Sequence, residues 1–215
     1  KLNHNNTLIV HAPAGAGKST ILPLVLLNQP AFRNKKILML EPRRLAARTI
    51  ASRMADLIGE EVGQTVGYRI RFDHKISEKT RLEVLTEGVL TRMLHNDNAL
   101  EGVGLVIFDE FHERSIHADI ALAFCREAQQ ILRPDLSIMI MSATLNAEEL
   151  GKLLNAPIAS CEGRQFPVDI KYTDQQDVRM LPELCAQTIL KATRENRDGD
   201  TLVFLPGQGE IIKVE

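Results

Sequence analysis

Lys18 and Ser19 close a short loop that also carries Gly15 and Gly17, in the run Pro13-Ala14-Gly15-Ala16-Gly17-Lys18-Ser19-Thr20. Glycines let a backbone approach an anion closely and aim its N–H groups at it. A lysine after them adds a point charge, and a serine hydroxyl is a hard oxygen that suits Mg2+. These residues could therefore cradle the phosphates of a nucleotide. Ala14, Gly15, Ala16, Gly17, Lys18, Ser19 and Thr20 would wrap them, Lys18 would reach the β- and γ-phosphates, and Ser19 would hold Mg2+. At 91 positions past Lys18 (109 minus 18), the wholly apolar run Leu105–Phe108 ends in two acids, Asp109 and Glu110, followed by Phe111 and His112. Asp109 would hold Mg2+ through water, and Glu110 would orient or deprotonate an attacking water. The chemistry implied is hydrolysis of a nucleoside triphosphate. Alone, the glycines could be a chance turn and the two acids a solvated one. Both readings weaken once the two features occur together.

Elements must bring these residues to one place. Thr7–Ala12 reads as a buried strand entering the loop, and Lys18–Asn28 has helical spacing after it. Ile37–Leu40, Val66–Phe72, Arg81–Leu85, Leu105–Phe108 and Leu136–Met141 read as strands, and Arg43–Ile58 as a helix closed by Gly59. Val89, Leu90, Met93 and Leu94 form a helical stripe. Ile116, Ile120, Phe124, Ala128 and Leu132 recur every four residues, which is one face of another helix. Such alternation predicts an α/β fold with a mainly parallel sheet and helices on both faces. A parallel sheet exposes its active groups at the strand ends, where both the loop and the acids fall. The segment Cys161–Asp169, with Gly163 and Pro167, breaks the pattern and reads as a domain boundary. A strand at Val168–Tyr172, a helix near Leu181–Arg197 and a strand at Leu202–Leu205 are expected beyond it, too few elements to close a sheet.

Bulk properties narrow the class. No apolar run approaches a membrane span and no secretory signal opens the sequence, so the expected location is cytoplasmic. Cys125, Cys161 and Cys185 lack zinc-ligand spacing and read as free thiols. Net charge is −2, aromatics are 4% and tryptophan is absent, which excludes a broad basic face or a base-stacking platform. A nucleic-acid partner would be gripped at its backbone by a few local groups.

The loop resembles the Walker A motif, GxxxxGK[ST], with Ala12 where the first glycine is usual. Asp109-Glu110-Phe111-His112 resembles the Asp-Glu-x-His signature of the DEAH-box helicases of superfamily 2, with Phe111 for the usual alanine. The longer string through Glu113-Arg114-Ser115 is similar to bacterial members of the HrpB kind. Glu41-Pro42-Arg43-Arg44-Leu45-Ala46-Ala47 resembles motif Ia, Val66–Phe72 a strand of that family, and Thr86-Glu87-Gly88-Val89-Leu90 motif Ib. Ser142-Ala143-Thr144 resembles motif III, and Leu202–Gln208 motif IV. The resemblance spans almost the whole sequence. It implies a RecA-like P-loop domain over 1–162 and the beginning of a second over 163–215. The implied activity is an ATP- and Mg2+-dependent helicase or translocase motor acting on single-stranded or tailed nucleic acid, RNA favoured and DNA possible.

The resemblance also implies that Arg43, Arg44, Thr86, Glu87 and Gly88 touch the nucleic-acid backbone. Ser142 and Thr144 would link hydrolysis to domain motion, and His112 would sense the γ-phosphate and the second domain. Physically, the forks of Arg43 and Arg44 suit phosphate oxygens or simply solvent. Thr86 fits a phosphate contact or a helix cap equally, and Ser142 and Thr144 could cap a following helix. Arg53 shares a helix face with Ala46 and Ile50. The family's matching arginine stacks on the nucleotide base, and the alternative is a snorkelling side chain. A transporter ATPase would need a second glycine-rich signature and a GTPase an NKxD string, and neither is present. A scaffold with a relic site is disfavoured by intact Lys18, Ser19, Asp109 and Glu110. A stimulated NTPase that remodels without processive unwinding stays open as the second reading.

Overall fold

Strands buried on both faces are mostly apolar, and this is how the central strands fold. The computed structural model describes residues 5–13, 15–143, 147–162, 167–173, 180–195 and 198–215. It divides into two units, 1–165 and 166–215.

The first unit is built on one sheet. Its strands are β1 (Thr7–His11), β2 (Lys36–Leu40), β3 (Val66–Ile70), β4 (Asp73–Lys75), β5 (Leu82–Leu85), β6 (Val103–Phe108), β7 (Ser137–Ser142) and β8 (Ile158–Ser160). They lie in the order β4-β3-β5-β2-β6-β7-β1-β8. All pairs are parallel except the hairpin β3–β4. The helices are α1 (Ile21–Leu27), α2 (Arg44–Leu57), α3 (Glu87–Asn96), α4 (Ile116–Ile131) and α5 (Ala147–Leu154). Side chains alternate between the faces of the strands, so the core is split in two. Leu38, Leu40, Leu85, Val106, Phe108, Ile138 and Ile140 meet α3, α4 and α5 on one face. Ile37, Met39, Val84, Leu105, Ile107 and Met139 meet α1 and α2 on the other. Each such buried aliphatic side chain contributes about 1.5–3 kcal/mol of transfer free energy.

The register places the chemistry. Leu40 stands level with Phe108 and with Leu85, and His11 with Ser142. The chain therefore leaves β1, β2, β5, β6 and β7 along one edge of the sheet, which carries the phosphate loop, Glu41, Thr86, Asp109 and the segment after Ser142.

Several expectations need correcting. The first helix begins at Ile21, not Lys18, because the N–H groups of Thr20, Ile21 and Leu22 all turn onto the Gly17 carbonyl. The third strand ends at Ile70, and Phe72, at φ 66, turns the chain back into β4. The face assigned to α4 is out of phase. Ile116 is 71% and Leu132 52% exposed, while Ala118, Ala121, Leu122, Cys125, Ala128 and Gln129 are buried. A four-residue step overshoots the helical turn by about 40°, so the stripe winds off the face. The small residues are what lets α4 come close to the sheet.

In the second unit, α6 (Leu181–Glu195) and α7 (Gln208–Val214) contact each other. The runs expected as strands at Val168–Tyr172 and Leu202–Leu205 are not strands. A strand needs a partner, and neither run has one among the described residues. Ile170, Leu202 and Phe204 are exposed.

Candidate active site

Gly15 and Gly17 both hold φ at +78, which a side chain rarely tolerates, and so let the loop double back over the end of β1. The loop swings Lys18 inward. Its side chain is 6% exposed, with Nζ 3.7 Å from Oε1 of Glu110. The other oxygen of Glu110 lies 3.3 Å from Nε2 of His112. Lysine, carboxylate and imidazole thus form a row across β1 and β6. Glu110 itself holds φ 48, ψ 34, and begins a single 3-10 turn, Phe111–Glu113. Phe111 is buried edge-on against Phe108, with ring centroids 6.1 Å apart, and anchors this turn in the core under α4.

Asp109 is almost wholly buried. Oδ1 accepts the Glu110 N–H at 2.9 Å, whereas Oδ2 has no hydrogen-bond partner among the described residues. Burial pushes its carboxyl above the ordinary carboxylate range, against the pull of the Ser19 hydroxyl, the Glu110 N–H and Lys18. A buried carboxylate oxygen without a partner, beside a serine hydroxyl, is the hard-oxygen set that fits Mg2+ when substrate phosphates complete the shell.

Glu41 was quoted in the sequence only as part of a string, yet it belongs to this site. It directly follows β2, is 3% exposed, and its carboxyl is pushed up to about 8 by burial and then by the negative charge of Asp109. The signal available was an acid directly after an apolar strand, the same signal that marked Asp109.

The flanking residues fall into three groups. Arg43, just before α2, is ion-paired with Glu113 of the acidic turn. Arg44 is exposed beside Leu45, Arg48, Ile70 and Arg71 in an open groove of about 400 Å3. Thr86 is the N-cap residue of α3, but its side chain makes no capping bond. Glu87 accepts the Ser115 hydroxyl at 2.6 Å. Gly88 has open space around its Cα. Ser142 is buried and its carbonyl accepts the Ala12 N–H at 3.2 Å, so the segment after β7 is tied to the loop strand. His11, given no role from sequence, strengthens that tie with Nε2 3.2 Å from the Ala143 carbonyl. Ala14 and Thr144 lie outside the described residues. Arg53 is exposed at the edge of α2 beside half-buried Ala46 and Ile50.

A larger cavity of about 690 Å3 opens elsewhere, against Lys36, Arg69, Arg81 and Glu83. Glu83 there takes Lys36 and Arg69 at 2.9 Å each. No phosphate-loop residue lines it, so its size does not make it the active site.

The profile of the DEAD/DEAH box helicase family matches residues 1–153. The chain is 51% identical over 209 residues to the ATP-dependent RNA helicase HrpB of Escherichia coli, covering 97% of this chain and 26% of that one. It is 37% identical to a probable ATP-dependent RNA helicase, DHR2, of Saccharomyces cerevisiae, covering 99% of this chain and 29% of that one. The crystal structure of Escherichia coli DEAH/RHA helicase HrpB superposes with a TM-score of 0.91 at 50% identity, over 99% of this chain and 27% of that one. The chain therefore spans about a quarter of the length of these relatives. Among the described residues, no helix is long and apolar enough to cross a membrane.

Proposed function

The chain belongs to the DEAD/DEAH box helicase family, and from that premise we propose that it is the ATP-hydrolysing part of a helicase or translocase motor acting on single-stranded or tailed nucleic acid. In this reading residues 1–162 form the first RecA-like domain and 163–215 begin the second. RNA is the favoured substrate because the relatives bear the name RNA helicase, with DNA as the competitor to test.

The observation that carries the reading is the approach of Lys18 to Glu110 at 3.7 Å, two residues far apart in the sequence. Lys18 would leave Glu110 for the β- and γ-phosphates of ATP. Glu110, so freed, would accept a proton from the water in line with the γ-phosphorus, and His112, 3.3 Å away, would hold the far oxygen of that carboxylate. Asp109 and Ser19 would hold Mg2+, which when bound draws charge from the phosphate oxygens. Arg43 and Arg44, with Thr86, Glu87 and Gly88, would face the nucleic-acid backbone. Ser142 and Thr144 would carry the state of the loop onward. Arg53 would lie against the base.

The deciding measurement is steady-state ATP hydrolysis by the full-length protein, with and without single-stranded RNA and DNA, beside Lys18→Ala. The expected result is hydrolysis stimulated by nucleic acid and nearly abolished in a folded Lys18→Ala protein. Unchanged turnover in that variant would sink the assignment. Strand-displacement assays separate unwinding from remodelling without processive unwinding.

A further inference from the structure

The acidic turn is fastened to both segments that this reading turns toward nucleic acid. On one side the Arg43 guanidinium grips the Glu113 carboxylate, with Nε 3.4 Å from Oε2 as the longer of its two contacts. On the other side Ser115, which caps α4 through the Ala118 N–H at 3.0 Å, donates its hydroxyl to Glu87 at 2.6 Å. Glu110, at the start of the turn, and Arg114, between the two fastenings, hold positive φ of 48 and 47. The Glu113 N–H donates to the Glu110 carbonyl at 2.9 Å, so Glu113 is bonded within the turn to the residue that faces Lys18. A cavity of about 90 Å3, lined by Pro42, Glu87, Glu110 and Glu113 among others, leaves room for the turn to shift.

We propose that Glu113 is a positioning residue that couples nucleic acid to hydrolysis: without nucleic acid its carboxylate holds Arg43, and a backbone phosphate that takes Arg43 releases Glu113 and resets the turn carrying Glu110. This rests on the reading of Arg43 as a phosphate contact. The Arg43 side chain is 70% exposed and Glu113 31%, so a phosphate can reach the fork from solvent. Phosphate and carboxylate compete for the same parallel donors, and each repels the other. An exposed pair is weak enough to be exchanged. Arg114, next to Glu113 in the chain, is already paired with Asp119 at 2.9 Å and lies over the Phe111 ring.

The test uses the full-length protein, single-stranded RNA as probe, and Glu113→Gln, which keeps shape and loses charge. Basal and RNA-stimulated ATP hydrolysis are measured beside RNA affinity by fluorescence anisotropy. The expected result is RNA affinity tightened by about two- to fivefold, the factor an exposed ion pair carries, with a raised basal rate and a smaller stimulation ratio. Glu113→Asp, which restores the charge, should return the ratio toward that of the unchanged protein. Wild-type affinity and stimulation ratio in Glu113→Gln would overturn the role of Glu113 alone. An equal fall in basal and stimulated rates with unchanged affinity would mark it as merely structural and also overturn it. If the unchanged protein neither binds RNA nor responds to it, the reading of the whole face fails, and the inference falls with it.

Discussion

Glu110 keeps a left-handed backbone without being glycine, a conformation that costs on the order of 1–3 kcal/mol and persists only where surroundings hold it. The buried Phe111 behind it and Lys18 before it supply that hold. The two neighbouring acids should therefore fail differently. Glu110→Gln should bind Mg2+–ATP and lose hydrolysis by about a hundredfold or more, the usual scale for a lost base. Asp109→Asn should instead weaken Mg2+ binding. Titrating Mg2+ against each variant separates them, and an identical Mg2+ defect in both would refute the division. Glu41 makes a pH-dependent contribution. Its carboxyl keeps its proton up to about 8 in the fold, against an ordinary 4.5, so its contribution to stability is full below 4.5 and is lost as pH rises through about 8. Melting curves in chelator should therefore fall more steeply over that window for the unchanged protein than for Glu41→Gln, whose neutral amide removes the titration. Parallel curves would show that Glu41 does not titrate there.

At the scale of elements, the hairpin β3–β4 depends on one close approach. A Cβ built on Gly67 would lie 2.4 Å from the Lys75 carbonyl oxygen and 2.9 Å from Ile76, so backbone would have to move. Gly67→Ala should cost about 1–3 kcal/mol, the usual range for overpacking, read as a lower midpoint in urea. No change would mean the hairpin yields freely. The legibility of the fold follows the same physics. The central strands β1, β2, β5, β6 and β7 stood out because most of their residues are buried and apolar, although Glu83 sits inside β5. Three-residue β4 and β8 carry Asp73, His74, Lys75 and Ser160 and gave no such run. The α4 stripe misled because large apolar residues marked it, whereas Ala118 and Ala121, outside it, meet the sheet beside Ala128. In the site, Lys18, Asp109 and Glu110 were legible from type and spacing. The pairing of Arg43 with Glu113, 70 positions apart, was not, since two exposed charges of opposite sign carry no spacing signal.

At the scale of the whole molecule, the groups assigned to chemistry or nucleic acid that lie among the described residues sit along one edge of the sheet, except Arg53, on the side of α2. Arg43→Ala/Arg44→Ala in the full-length protein should reduce nucleic-acid stimulation far more than ATP affinity, as judged by a nucleic-acid titration of the ATPase beside direct nucleotide binding. An equal loss in both would place these arginines at the nucleotide instead. Arg53 offers a face and no edge pattern, so GTP, CTP and UTP should compete with ATP within about tenfold, a spread of about 1.4 kcal/mol. A much larger preference for ATP would demand a side chain that reads the adenine edge. The crowding of work onto one edge leaves the opposite one idle. There the chain passes from the turn at Pro30–Phe32 into β2 through Arg33 and Asn34, both exposed, at the end of the strand remote from Glu41. Exposed loop tips accept inserted sequence most readily. A fluorescent domain or an affinity tag spliced in after Asn34 would thus report on the protein from the edge remote from Lys18 and Glu110, which gives the molecule a handle.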